Sequence, residues 1–193
     1  MKKILILNVS TRVHGGIEQM LSIISDEANA LGAIVETVRI DQLNVASCRG
    51  CMACRKMLKC VLPNDGAQAT LEKIIAADVL VIGAPCYWGN MPGNLKSLFD
   101  RIVYGMMGED KYGIPTPLHK GKEAIIVSTC TTIWPFNILF HQSRGVVRSL
   151  KEILKWSGFH VVKTIEKGGT KRNPELKEVE RKKCRLAARR IVR

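Results

Sequence analysis

The sequence lacks several things, and each absence narrows the reading. No apolar run approaches the length of a membrane span. The opening Met1-Lys-Lys-Ile-Leu-Ile-Leu-Asn-Val-Ser10 sets lysines before an apolar stretch. That stretch is too short for a secretory signal core, and no small-residue cleavage site follows it. A cytoplasmic protein with no membrane partner is expected. Neither G-x-G-x-x-G nor a Walker loop occurs, which disfavours a dinucleotide Rossmann site and an NTPase. Internal repeats and low-complexity segments are absent. Aromatic residues are scarce, at 5%, so Ile, Val, Leu and Ala carry the apolar load, as suits a parallel sheet covered by helices. Acidic residues are few: 17 against 30 Lys and Arg, for a net charge of +13 over 193 residues.

Eight of those thirteen charges fall between Lys167 and Arg193, and Arg49, Arg55, Lys56 and Lys59 sit among clustered cysteines. Such a balance suits a polyanionic partner or a solvated basic surface. The cysteines are the most distinctive feature. Cys48, Cys51, Cys54 and Cys60 fall within thirteen residues as C-x2-C-x2-C-x5-C, and Cys86, Cys130 and Cys184 are scattered. Thiolates at this spacing can converge on one soft metal centre. Structural zinc usually takes two separated C-x2-C pairs; C-x2-C-x2-C is closer to an iron–sulfur loop, with Cys60 as fourth ligand. A metal-free loop, zinc and a disulfide remain as alternatives, in that order. In a reducing compartment the disulfide ranks last.

The hydrophobic pattern gives five buried or half-buried strands: Lys3–Val9, Ile34–Ile40, Asp78–Ala84, Glu123–Thr129 and Phe159–Ile165. Helical spacing joins them. Ile17, Met20, Leu21, Ile24, Ala28 and Leu31 form one helix, stopped at Gly32. Ala67–Ala77 follows with Leu71, Ile74 and Ile75 inward, then Pro92–Val103 with proline at its first position, then Ser143–Trp156. Asn173-Pro174 is expected to cap a final basic helix over 174–193, with Leu176, Val179, Leu186 and Ile191 inside. The stretch 44–64 holds the cysteines and has neither period, and Tyr104–Gly121 reads as a long loop. The expected fold is α/β: a single domain over 1–193, a doubly wound five-stranded parallel sheet with a cysteine-rich insertion after the second strand.

Ligands in such sheets bind at the carboxyl ends of the strands, near the switch point of strand order. Three loops lie there. Ser10-Thr-Arg-Val-His-Gly15-Gly-Ile-Glu-Gln-Met20 joins a strand to a helix, whose free N–H groups and Arg12 suit a phosphate monoester. Ala84-Pro-Cys-Tyr-Trp-Gly-Asn90-Met-Pro-Gly-Asn-Leu-Lys96 is a stiff rim, where a flat ring can lie against Tyr87 or Trp88. Ser128-Thr-Cys-Thr-Thr-Ile-Trp134-Pro-Phe-Asn-Ile-Leu-Phe140 ends in more exposed apolar surface than a monomer tolerates, so it roofs a cofactor, forms a subunit interface, or both.

Ser10-x-Arg12-x-x-Gly15, then Pro85-x-Tyr87-Trp88-Gly89-x-Met91-x-Gly93-x-x-Lys96, then Asp100-Arg101 resemble the flavodoxin-like NAD(P)H-dependent FMN reductase superfamily. With its cysteine loop, the chain is similar to the iron–sulfur flavoprotein branch, from Met1 to about Ile165. The resemblance implies FMN, with its phosphate on Ser10, Arg12, Gly15, Gly16, Ile17 and Glu18. Its isoalloxazine would lie on Pro85, Cys86, Tyr87, Trp88, Gly89, Asn90, Met91, Thr129, Cys130 and Thr131. It implies a [4Fe–4S] cluster on Cys48, Cys51, Cys54 and Cys60, and a homodimer or homotetramer that brings cluster and flavin together. No side-chain acid or base is required for the redox step. Two positions depart from the pattern. Gly16 and Ile17 stand where Asn and Thr or Ser are usual, which removes hydrogen bonds worth about 1.5–3 kcal/mol each from the phosphate cradle. Asn64-Asp65 replaces an acidic pair after the fourth cysteine.

Three functions are compatible with these features. One is an electron-transfer iron–sulfur flavoprotein fed by a ferredoxin-like donor and reducing a small acceptor such as a quinone, oxygen or peroxide. Another is an NAD(P)H-dependent flavin or quinone reductase with no cluster. The third, ranked last, is a basic nucleic-acid-binding module; the C-terminal helix lacks stacking aromatics and no nucleic-acid fold is recognisable. His14 lies in the phosphate loop, whereas His119, His141 and His160 read as ordinary packed or surface residues. Cys86 and Cys130 read as small buried hydrophobes.

Overall fold

The computed structural model describes residues 1–193. Strands β1 (Lys3–Asn8), β2 (Ile34–Arg39), β3 (Val79–Pro85), β6 (Glu123–Thr129) and β7 (His160–Lys167) form one parallel sheet in the order β2-β1-β3-β6-β7. The helices are α1 (Gly16–Ala30), α2 (Ala53–Met57), α3 (Gly66–Ala76), α4 (Gly93–Arg101), α5 (Val103–Met106), α6 (Phe136–Leu139), α7 (Gln142–Ser157) and α8 (Glu178–Val192). A small antiparallel pair, β4 (Met107–Glu109) with β5 (Pro115–Pro117), completes the chain. The five expected strands and their parallel arrangement are present, with ends shifted by a residue or two.

The pleat sends alternate residues to two cores. Leu5, Leu7, Leu80, Ile82, Ala84, Ala124 and Ile126 face α3, α4 and α7, while Ile4, Ile6, Val79, Val81, Ile125 and Val127 face α1 and α8. Each fully buried Leu or Ile contributes about 1.5–3 kcal/mol, so both faces of the sheet must be covered. At Gly83 an added Cβ would lie 2.6 Å from Leu21 and 2.9 Å from Ile17. The missing side chain lets α1 press onto β3 and fixes its N-terminus against the sheet edge.

Four local expectations need correction. The region 104–121 is not simply a loop, since it holds α5 and the β4–β5 hairpin; three-residue strands in Gly/Pro-rich sequence carry no readable period. Ile75 is exposed, because the inner line of α3 runs through Ala67, Thr70, Leu71 and Ile74. The last helix begins at Glu178, not at Pro174. Leu176 first drops into the core, and Glu180 Oε2 then accepts from the Lys177 N–H at 2.9 Å to cap α8. Its inner face is Cys184, Ala187, Ala188 and Ile191, while Val179 and Leu186 are exposed. Small residues face inward because α8 packs closely on α1, and a search for large apolar residues misses that stripe.

Candidate functional site

Strand order reverses between β1 and β3, so the loops after them leave on opposite faces and open a crevice at the carboxyl edge. The Cys86 N–H donates to the Thr129 carbonyl at 2.8 Å. A Cβ added to Gly16 would touch Thr129 Cγ2 at 3.7 Å. Ser10–Glu18, Pro85–Met91 and Thr129–Thr131 therefore share one rim.

The first loop is shaped by its own polar groups. The Ser10 N–H donates to Asn8 Oδ1 at 3.0 Å, and the Ser10 hydroxyl bonds the backbone of Arg12. Glu18 accepts from the His14 N–H at 3.0 Å and from Arg39 Nη1 at 3.0 Å. Arg39 also donates to the Ser10 carbonyl and to Asp41. Its pKa is raised, chiefly by the hydrogen bond to Asp41. The Glu18 carboxylate is thus neutralised within the loop. Gly15 caps α1 without a side-chain bond, and the N–H groups of Gly16, Ile17 and Glu18 have no helical acceptor by position. Arg12 is exposed and pairs with no carboxylate. One guanidinium beside one helix terminus suits a single phosphate.

The second loop turns tightly. Tyr87 and Asn90 exchange backbone hydrogen bonds at 2.9 and 3.0 Å, with Trp88 at φ 52° and Gly89 at φ 71°. Two successive left-handed residues are the mark of a hairpin turn. Trp88 is fully exposed, at 103%, and Tyr87 is half exposed, so neither fills the core. Helix α7 backs this turn: Ser149 Oγ donates to Asn90 Oδ1 at 2.8 Å. A Cβ on Gly145 would lie 1.6 Å from the Gly89 carbonyl oxygen. Thr129 and Cys130 are buried and Thr131 is exposed. Burial pushes up the thiols of Cys86 and Cys130, which suits packed rather than reactive cysteines. Beyond them, Trp134, Phe136, Leu139 and Phe140 are exposed, with the two phenylalanines stacked at 5.8 Å.

Cys48, Cys51, Cys54 and Cys60 line one cavity of about 580 Å³, with Leu58, Val61, Tyr104, Met107 and Arg101 among its other walls. All four are free thiols. Burial raises the Cys54 pKa, and the neighbouring Cys60, Cys48 and Cys51 raise it further. Arg101 closes the base. Its fully buried side chain donates to the Ala46 carbonyl at 2.7 Å, to Asp65 Oδ2 at 2.8 Å and to the Pro63 carbonyl at 3.4 Å. Asp65 also accepts from the Ala46 and Ala67 N–H groups, and so caps α3. Burial alone would raise its pKa, but these hydrogen bonds and Arg101 hold it below the usual carboxylate range. Burial works against the Arg101 charge, but Cys60 and Asp65 outweigh it and raise its pKa. On the outer side Arg55 pairs with Glu109 at 2.9 Å. Asp100 and Glu109 also line the cavity but are paired with Lys96 and Arg55, which leaves the four thiols as its soft donors. No three His, Cys, Asp or Glu groups stand close enough to share one ion. Thiols are the ligands that an iron–sulfur cluster takes, as they are for structural zinc.

The chain matches the family described as Flavodoxin_2, flavodoxin-like fold, over residues 2–191. It belongs to this flavodoxin-like family. It is 38% identical over 101 residues to an iron-sulfur flavoprotein of Methanosarcina thermophila, covering 52% of each chain. It is 48% identical over 66 residues to an FMN-dependent NADH:quinone oxidoreductase of Pseudomonas savastanoi pv. phaseolicola, covering 34% of this chain and 33% of the relative. The chain spans about half the length of the iron-sulfur flavoproteins it matches. Among solved structures, an FMN-dependent NADH-azoreductase of Bacillus anthracis in complex with FMN superposes with a TM-score of 0.77 at 16% identity, over 100% of both chains. At that identity the likeness shows the fold.

The flavodoxin-like chain carries supporting residues that its sequence did not reveal. Arg39 and Asn8 brace the first loop, and Gly145 and Ser149 brace the second. A glycine inside the apolar pattern of α7 was the one available signal, since such a glycine usually has a packing reason. The structure gives the departing residue Asp65 a role as the counter-charge of Arg101. Gly16 has only ordinary contacts around an added Cβ, so a side chain fits there. No helix is long and apolar enough to cross a membrane.

Proposed function

We propose that this protein is an FMN-dependent oxidoreductase of the iron–sulfur flavoprotein type, passing electrons from a ferredoxin-like donor to a small acceptor. The observation that carries the reading is the four-thiol cavity, closed by a buried arginine, in a chain whose three strand-end loops form a phosphate-and-ring rim. When bound, a [4Fe–4S] cluster and FMN would supply one- and two-electron chemistry respectively. The protein's own residues bind and orient. Arg12 and the N–H groups of Gly16–Glu18 hold a phosphate, and Tyr87–Met91 with Thr129–Thr131 border a flat ring. Cys48, Cys51, Cys54 and Cys60 ligate. Arg49, Lys56 and Lys59 are exposed around them and attract an acidic donor. Exposed Trp88, Leu139 and Phe140 support a second copy covering the rim, as homodimer or homotetramer.

A second reading is an NAD(P)H-dependent quinone reductase with an empty cysteine loop. The likeness to the NADH:quinone oxidoreductase supports it. Purification without oxygen, with iron, sulfide, zinc and flavin assays on one sample, separates the two. About four irons per chain with flavin support the first reading, and flavin without iron supports the second. Zinc would make the loop structural, and a colourless protein would sink both.

A further inference from the structure

A second cavity lies beside the rim, between the third loop and the segment after β7. It encloses about 620 Å³ and is lined by Trp134, Asn137, Arg144, Glu166, Lys167 and Lys177, with Glu180 and the Gly168–Gly169 backbone. None of these residues belongs to the phosphate loop, the ring rim or the thiol cavity. Lys167 is the unusual one. It is 3% exposed, yet its ammonium meets no hydrogen-bond acceptor, and the one carboxylate oxygen within reach is Glu180 Oε1 at 3.8 Å. A buried cation at that distance from its counter-charge is poorly compensated.

The two carboxylates of the cavity are engaged elsewhere. Glu180 Oε2 accepts from the Lys177 N–H. Glu166 Oε2 accepts from the Ser143 hydroxyl at 2.6 Å. Ser143 in turn accepts from Asn137 Nδ2 at 3.1 Å. That chain of donors fixes the Asn137 amide with its Oδ1 buried and unpartnered. Arg144 and Lys177 are exposed and make no ion pair. The cavity therefore holds three cations against two carboxylates, a net charge of one positive, and the cations keep unfilled donor capacity. Trp134, largely exposed at 77%, forms its apolar wall.

We infer that this cavity binds a ring-bearing organic anion. Its carboxylate or phosphate sits among Lys167, Arg144 and Lys177, and its ring lies along Trp134. A volume of this size accommodates a nucleoside monophosphate or an aromatic acid, and both sources offer the same chemistry. The inference is independent of the flavin reading.

Calorimetric titration of the FMN-saturated protein with adenosine monophosphate, benzoate and uncharged adenosine tests it; repetition with Arg12→Ala keeps the phosphate loop from serving as the acceptor. At least one anion is expected to bind with Kd below about 1 mM, and adenosine is not. Lys167→Met and Arg144→Ala should each weaken the anion about 10- to 100-fold. Stronger binding of adenosine monophosphate identifies a nucleotide site, and stronger binding of benzoate an aromatic-acid site. Absence of heat from both anions overturns the inference, as does binding that survives both substitutions or disappears in Arg12→Ala. Arg144 is on the surface, so its variant reports even where Lys167→Met fails to fold.

Discussion

The sharpest test of the cysteine cavity is Asp65→Asn. Asp65 is the one carboxylate that faces the fully buried Arg101 side chain, at 2.8 Å. Asparagine keeps the shape and one acceptor oxygen, so the cap on the Ala67 N–H can survive. It removes the counter-charge and turns an amide toward Arg101 or toward the Ala46 N–H. A buried charge that loses its partner costs about 3–5 kcal/mol, against a total stability of about 5–15 kcal/mol for a domain. Urea unfolding at pH 7, followed by far-UV circular dichroism, should show a loss in that range. The loss should also free both flanks of the loop, because Arg101 holds Ala46 on one side and Pro63 on the other. In the metal-free protein, Cys60 should then alkylate faster.

The pH dependence gives an independent check. The folded pKa of Asp65 lies below its unfolded value. Its contribution is complete above the unfolded pKa of about 4 and disappears as pH falls through the folded value. The stability gap between wild type and Asp65→Asn should therefore be widest at neutral pH and narrow in acid. A loss under about 1 kcal/mol at pH 7, or a gap constant from pH 7 down to the acid limb, would refute the assignment of Asp65 as the counter-charge.

Four further outcomes are expected. Gly145→Ala places a Cβ 1.6 Å from the Gly89 carbonyl; it should push the Tyr87–Asn90 turn outward and lower FMN affinity at least about 10-fold, read by flavin fluorescence. Arg12→Ala should weaken FMN by about one to two decades while leaving iron in place; unchanged affinity would remove Arg12 from the phosphate site. Cys54→Ala should abolish iron and sulfide yet retain FMN, and loss of flavin instead would make the loop a structural support of the rim. Leu139→Asp with Phe140→Asp should convert the proposed assembly to monomers in sedimentation, and an unchanged oligomer would place the interface elsewhere.

The centre of the sheet was legible because β1, β3 and β6 are short continuous apolar runs buried on both faces, whereas the half-exposed edge strands β2 and β7 show only partial alternation. The rim was legible as three segments because each follows such a run. What holds the rim was not. Arg39 reaches back 21 residues to Glu18, and Gly145 meets Gly89 across 56 residues; neither contact leaves a local pattern. Arg101 stood inside a recognisable motif, but its partner Asp65 lies 36 residues earlier. The last helix misled for a different reason. Its buried stripe is Cys184, Ala187, Ala188 and Ile191, where close helix approach rather than residue size decides what faces inward.

The position of α4 links the two halves of the proposed site. Its N-terminus follows the ring rim at Met91, and its C-terminal residue Arg101 closes the thiol cavity. Nine helical residues at about 1.5 Å each span roughly 13 Å, so the segment after the rim and the base of the cavity sit at opposite ends of one helix. The helix is fixed at both ends, by the Pro92–Gly93 turn and by the Arg101–Asp65 pair, and Leu95, Leu98 and Phe99 bury it against the sheet. It cannot shorten that separation by bending. On the proposed reading, a second copy docked on the rim would bring another route between the two centres. The exposed Trp88, Leu139 and Phe140 lie on the rim side, where such a copy would dock. If oligomerisation belongs to the electron path, loss of the interface should leave both binding sites filled but slow the passage of electrons between them.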